Sequence, residues 1–154
     1  MSIDKKPQVL WEIRAFDELT LLELHDIMRI RVDIFVVEQN CPYSESDGLD
    51  PLCIHTIGKT EEGEIIATTR IAPAGSIYPE LSIDRVVVKE AFRQFKLGKE
   101  LMNVSIDYCQ EKTEAKTIKI AEQLYLKRFY SSVGFEQISA VYTSDGIDHI
   151  DMRL

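Results

Sequence analysis

A chain of 154 residues, 45% hydrophobic and 29% charged, has the size and composition of one globular unit with a sizeable core, and residues 1–154 are expected to form a single domain. Its seven glycines and five prolines are too scattered for a linker; the N-terminal stretch lacks the apolar run of a signal peptide and no window approaches the roughly 20 apolar residues of a membrane span, so a cytoplasmic location is expected. The formal net charge of −8 opposes general nucleic-acid binding, and three cysteines without CxxC spacing argue against both a disulfide framework and a zinc site.

Residues 8–14, QVLWEIR, alternate in character and predict a first strand. Asp17 and Thr20 are alternative N-caps for a helix in which Leu21, Leu24, Ile27 or Met28, and Arg31 or Val32 recur at helical spacing. Its end, VDIFVVEQ, turns continuously apolar and β-branched, so the helix is expected either to bury there or to break near Val36. The next segment, NCPYSESDGLDP, is the most loop-like of the chain, with Pro42, Gly48 and Pro51 interrupting it. Glu45, Asp47 and Asp50 follow Glu38 closely. By residue type they read as a solvated acidic loop; beside a pocket, the same charges attract a cationic amine.

Residues 53–59 and 64–71 predict two strands joined by a hairpin at Glu62-Gly63. Cys53 and His55 fall on one face of the first, which suggests a buried thiol near a pocket histidine rather than a metal corner. Residues 82–110 then read as strand, charged loop and amphipathic helix, the helix carrying Leu97, Leu101, Val104 and Tyr108 at intervals of three and four. Arg93, Lys96 and Lys99 occupy the loop and first turn, where a helix already presents unpaired N–H groups and the positive end of its dipole. Basic residues are disfavoured at that end unless an anion joins them, so the stretch predicts a phosphate-binding turn, for a pyrophosphate in particular. TIKIA, residues 117–121, predicts a short buried strand, and residues 122–135 a second short helix with Leu124, Phe129 or Tyr130, and Val133 inward, closed by Gly134. Two strands joined through Asp145-Gly146 finish the chain. The order β, α, β, β, β, α, β, α, β, β predicts a mixed α/β sheet.

Two motifs within that order resemble those of the GNAT superfamily of acyl-coenzyme A-dependent N-acetyltransferases. Val88, Arg93 and Gly98 fall on the spacing of the family's phosphate loop, and Tyr130, Gly134 and Phe135 on its Y-x-x-x-G-F segment. The run from Arg31 to Gln39, then Cys41-Pro42-Tyr43, Glu45 and Asp47-Gly48, resembles the ElaA-like branch, as do Val141-Tyr142 and Asp145-Gly146-Ile147. The resemblance implies a single-domain α/β (α+β) fold, a mixed and mostly antiparallel twisted sheet flanked by helices. It implies acetyl-coenzyme A as co-substrate and no metal. The backbone of Val86 and Val88 would pair with the acyl-pantetheine arm like an added strand, and the amides of Gln94, Phe95, Lys96, Leu97, Gly98 and Lys99 would hold the pyrophosphate, with Arg93 and Lys96 adding charge. Gln123 aligns with an asparagine that contacts the arm, and Tyr130 would protonate the departing thiolate. Lys96 departs from the pattern, standing where the family has glycine.

Acyl transfer needs a neutral amine, and a lysine-like ammonium, with a pKa of about 10.4, must first lose a proton. Glu38, at the junction of the apolar helix end with the acidic loop, is the first candidate base. Asp47, Asp50, His55 and His149 are the alternatives on the acceptor side. Nothing places a base beside any cysteine, which favours direct attack of the amine in a ternary complex over an acyl-enzyme. An acyl-homoserine lactone synthase-like enzyme and a non-catalytic acyl-coenzyme A sensor are the competing readings. The expected partner is a small-molecule or peptide amine whose identity no motif states, with neither nucleic acid nor membrane; a homodimer stays open.

Overall fold

The computed structural model describes residues 4–154. The first strand, β1 (Leu10–Ala15), leads through a 3-10 turn into α1 (Leu21–Arg31). Thr20 is the N-cap: its hydroxyl accepts from the Glu23 amide at 3.0 Å, and the Glu23 carboxylate accepts from the Thr20 amide at 2.9 Å. The β-branched segment beyond Arg31 does not break at Val36. It widens into a π-helix, Val32–Glu38, in which the Gln39 amide donates to the Ile34 carbonyl at 3.1 Å.

Strands β2 (Ile54–Lys59), β3 (Ile65–Ala72) and β4 (Leu81–Val88) follow as an antiparallel meander. A 3-10 segment, Glu90–Phe95, occupies the expected loop before α2 (Leu97–Lys112). The next strand, β5, spans Ile118–Gln123, so Glu122 and Gln123 lie on a strand and not on the helix that the pattern predicted. The helix itself, α3, is short, Lys127–Ser132. Three strands rather than two close the chain: β6 (Glu136–Gln137), β7 (Tyr142–Ser144) and β8 (Ile147–Arg153). Asp145 and Gly146 take φ of 51° and 75° between β7 and β8, as a two-residue hairpin requires.

The strands make one sheet in the order β1-β2-β3-β4-β5-β8-β6, with β7 also on β8; β4–β5 is parallel and the other pairs are antiparallel. The architecture is thus the mixed, mostly antiparallel α/β sheet expected. Helices cover both faces because successive strand residues point opposite ways. Ile57 packs on Ile27 of α1, whereas its neighbour Thr56 accepts a hydrogen bond from Ser105 of α2 at 3.0 Å. The largest apolar cluster joins Ile71 and Ile83 to Ile120 and Ile150 beneath Met102 and Ile106 of α2.

The acidic loop is only partly solvated: Glu45 and Asp50 are buried while Asp47 stays exposed, and all three meet Arg31 and Arg70, which are each 1% exposed. Arg31 donates to Glu45 at 2.6 Å and to Asp50 at 2.5 Å. Arg70 forks onto Asp84 at 2.8 and 2.7 Å and onto Asp47 at 2.8 and 3.0 Å. Arg85 adds bonds to Glu45 at 2.9 Å and to Asp47 at 3.4 Å. Removing one partner of a buried pair strands the other charge, so Arg70→Leu is expected to cost about 3–5 kcal/mol, read from urea unfolding; a loss under about 1 kcal/mol would contradict this account.

Candidate active site

The site begins where two strands part. β4 and β5 pair only at Leu81 with Ile118 and Ser82 with Lys119. Further along β4, its register against β3 slips between Thr68 and Arg70, and Arg85 takes the left-handed φ of 51°. That conformation is unfavourable for a residue with a Cβ, and the ion pairs to Glu45 and Asp47 hold it. A bulge bends its strand; this one turns β4 away from β5. The gap is a cleft of about 440 Å³ walled by residues 84–88 of β4, residues 121–123 of β5, and Ile34, Phe35 and Glu38 of the π-helix. A groove of about 420 Å³ runs along Val86 and Val88 to Arg93, Lys96, Gly98 and Lys99.

Tyr130 lines both cavities. It is 2% exposed, and its phenol donates to the Glu122 carboxylate. Burial, then the Glu122 charge, pushes the Tyr130 phenol well above its ordinary value, so it keeps its proton at neutral pH. Glu122 is pushed up to about 8 by desolvation first and by the nearby Asp84 charge second, while the bond from Tyr130 and the Arg85 charge work against the rise. A carboxyl poised near neutrality at the floor of a cleft is equipped to take and return a proton.

Of the residues proposed from the sequence, Glu38, Val86, Val88, Arg93, Gln123, Tyr130 and His149 meet in the cleft, and Lys96, Gly98 and Lys99 line the groove. The Glu38 side chain, the first candidate base, is 38% exposed, with both oxygens held by Arg93 at 3.0 and 2.9 Å. Gln123 donates to Gln39 at 3.3 Å, and the Nδ1 of His149 lies 2.7 Å from the Ile147 carbonyl. Asp47, Asp50 and His55 do not line the cleft. Asp47 and Asp50 are spent on the arginines. The Asp47 carboxyl lies at about 2, because hydrogen bonds from Arg70 and the Leu49 amide outweigh the opposing effect of its burial. His55 is 1% exposed with its pKa lowered by desolvation, which leaves it a packed neutral ring. Burial pushes the thiols of Cys53 and Cys109 up to about 11 and about 12, away from nucleophilic use.

In the phosphate loop, Phe95 and Leu97 pack against Ile66 and Phe92, leaving only their backbone for a ligand. Gln94 is exposed. Lys96 caps α2 with φ 57° and ψ 30°, the left-handed geometry glycine would supply, so the replacement keeps the backbone shape and adds an ammonium. A Cβ on Gly98 would lie 3.4 Å from the Phe129 ring, an ordinary van der Waals contact, so an alanine there would touch α3 without forcing it away. Beyond Ser82, β4 has no strand on its β5 side, and its unpaired edge faces the cleft. A strand edge, a basic loop and the start of a sixteen-residue helix fit the arm and diphosphate of an acyl-coenzyme A. No group of three metal-ligating side chains occurs among the described residues.

Sequence reasoning missed Glu122, Asp84, Arg85 and Arg70. Glu122 was hidden by its assignment to a helix; read as strand, Ile118, Ile120 and Glu122 share one face and carry the carboxyl inward. The adjacent charges of Asp84 and Arg85 inside a mostly apolar strand were the other available signal.

Residues 54–154 match the family model described as an acetyltransferase (GNAT) domain. The protein ElaA of Escherichia coli K12 is 35% identical over 144 residues, covering 92% of this chain and 94% of the relative. Its crystal structure superposes with a TM-score of 0.88 over 95% of this chain and 99% of that one, at 34% identity. An acyl-CoA N-acyltransferase from Pseudomonas aeruginosa gives a TM-score of 0.86 at 32% identity, covering 94% and 98% of the two chains. The acyl-homoserine lactone synthase BjaI, at 14% identity and a TM-score of 0.79 over 95% and 82%, shares the fold.

A carboxyl raised in the folded state binds more protons there than in the unfolded chain between about 4.5 and about 8. Glu122 should therefore make stability fall as pH rises through that window. Urea unfolding across it should show the slope of the wild type exceeding that of Glu122→Gln; identical slopes would place Glu122 at an ordinary pKa.

Proposed function

Because this chain belongs to the GNAT acetyltransferase family, and within it to the ElaA-like branch, we propose that it moves an acetyl group from acetyl-coenzyme A to a primary amine by direct attack in a ternary complex. Acyl transfer from an acyl-coenzyme A follows from the family. The observation that carries the finer reading is Tyr130, which borders the cleft and the groove at once and is hydrogen-bonded to Glu122. When bound, the co-substrate supplies a thioester and a thiolate leaving group.

The chain's own residues supply the rest. Glu122, as carboxylate, takes a proton from the acceptor ammonium and frees the nitrogen lone pair for attack. As the carbon–sulfur bond breaks, Tyr130 gives its phenolic proton to the sulfur and recovers one from Glu122. The second proton lost by nitrogen goes to solvent, so the exchange releases one proton per turnover and leaves both side chains as they began. Glu122 is preferred to Glu38 as base because Glu122 is hydrogen-bonded to the acid it must recharge. Val86 and Val88 offer the edge that orients the acyl arm, and Lys96 and Lys99 lie on the side where the diphosphate belongs.

Thiol release from acetyl-coenzyme A, screened over polyamines, amino acids, aminoglycosides and peptides, tests the reaction; binding without release from any amine would overturn it. With an amine in hand, Tyr130→Phe should lower kcat roughly a hundred- to ten-thousandfold with little change in the KM for acetyl-coenzyme A. The wild-type kcat/KM should rise with pH up to about 8, where Glu122 gives up its proton, and Glu122→Gln should lose that limb.

A further inference from the structure

Arg93 stands where the cleft meets the groove and lines both. Its Nε donates to the Val88 carbonyl at 3.0 Å, which fixes the plane of the guanidinium, and its two terminal nitrogens donate to the two oxygens of Glu38 at 3.0 and 2.9 Å. Glu38 ends the π-helix, and the next residue, Gln39, accepts from Gln123 at the tip of β5. Two successive residues thus reach the two sides of the cleft, one through charge and one through an amide. The charged contact is half-exposed, with the side chains 42% and 38% accessible, and pairs of that kind are weak enough to exchange partners. Three other carboxylates line the cleft: Asp84 is forked by Arg70, Glu122 receives the Tyr130 phenol, and Asp145 sits in the exposed turn between β7 and β8.

We propose that Glu38 is the residue that anchors the ammonium group of the acceptor, and that Arg93 masks it until a diphosphate draws Arg93 away. The proposal rests on the acyltransferase reading and adds to it the residue that holds the acceptor's ammonium and a coupling between the two substrates. A diphosphate carries more charge than one carboxylate and accepts the same guanidinium fork, so it competes directly for Arg93. Once released, Glu38 is a free carboxylate facing the cleft, held in place by the Gln39–Gln123 clasp beside it. Occupancy of the groove therefore raises affinity for a cation in the cleft, and by reciprocity the cation raises affinity for the occupant of the groove.

Coenzyme A, pantetheine and n-butylammonium are suitable probes on the full chain, by calorimetry for the first two and by amide chemical shifts for the third. Glu38→Gln frees Arg93 and should tighten coenzyme A about three- to tenfold, without altering pantetheine, which has no diphosphate. Arg93→Gln should weaken coenzyme A, and Glu38→Gln should give no further gain in that background. Butylammonium should bind at least threefold more tightly with coenzyme A present, and Glu38→Gln should abolish the difference. If wild-type protein binds no coenzyme A, the acyltransferase reading itself fails. If it binds, but Glu38→Gln leaves coenzyme A affinity unchanged or butylammonium shows no dependence on coenzyme A, the masking contact is overturned and the acyltransferase reading stands.

Discussion

The buried arginines hold this protein in its working shape. Arg31 on α1, Arg70 on β3 and Arg85 on β4 draw in Glu45, Asp47, Asp50 and Asp84, so that one ionic lattice spans a helix, a loop and two strands. Lattices of this kind contribute more to geometric specificity than to net stability, because desolvation offsets most of the Coulomb gain. Here the geometry they specify is the loop against the sheet edge and the bulge at Arg85. Without the bulge, β4 has no reason to leave β5. Without the loop, the cleft loses one wall.

The same lattice sets the electrostatics of the floor. Three guanidiniums face four carboxylates, and of these seven groups Asp84 and Arg85 line the cleft, with opposite effects on Glu122. Asp84 belongs to that set and lies near enough to Glu122 to oppose its ionisation, adding to the larger effect of burial. A carboxyl that would be fully charged in water is thereby kept near its titration point. The buried charges do not touch the phenol at Tyr130, yet they shape the proton traffic proposed for it.

Much of this was legible in the residues, in proportion to how local the determining physics is. The strand, basic turn and helix over residues 82–110 follow from periodicity, and the Asp145-Gly146 hairpin from backbone preference. Lys96 looked like a defect in the phosphate loop, but the backbone accepts the left-handed angle and the loop keeps its shape. Asp47 and Asp50 misled for a different reason. Their partners Arg31 and Arg70 lie 19 and 23 positions away in sequence, and no local pattern says that a guanidinium is buried there to receive them. Glu122 escaped because the boundary between β5 and α3 was drawn two residues early, and one misassigned turn moves a side chain from the interior to the surface.

The parting of β4 and β5 also bears on how the chain reaches its native state. Strands β1 to β4 come from residues 10–88 and β5 to β8 from residues 118–153, so each half of the sheet is built from one continuous length of chain. Within each half the pairings are antiparallel; in the first each strand pairs with its sequence neighbour, the arrangement with the smallest loop-closure cost, and in the second β5, β6 and β7 all pair with the last strand, β8. Two residue pairs, the apolar cluster around Met102 and Ile120, and the Gln39–Gln123 and Lys119–Tyr78 contacts join the halves. Assembly therefore divides into two locally closed sheets and one long-range docking event, and the active-site cleft is the seam left open where that docking ends.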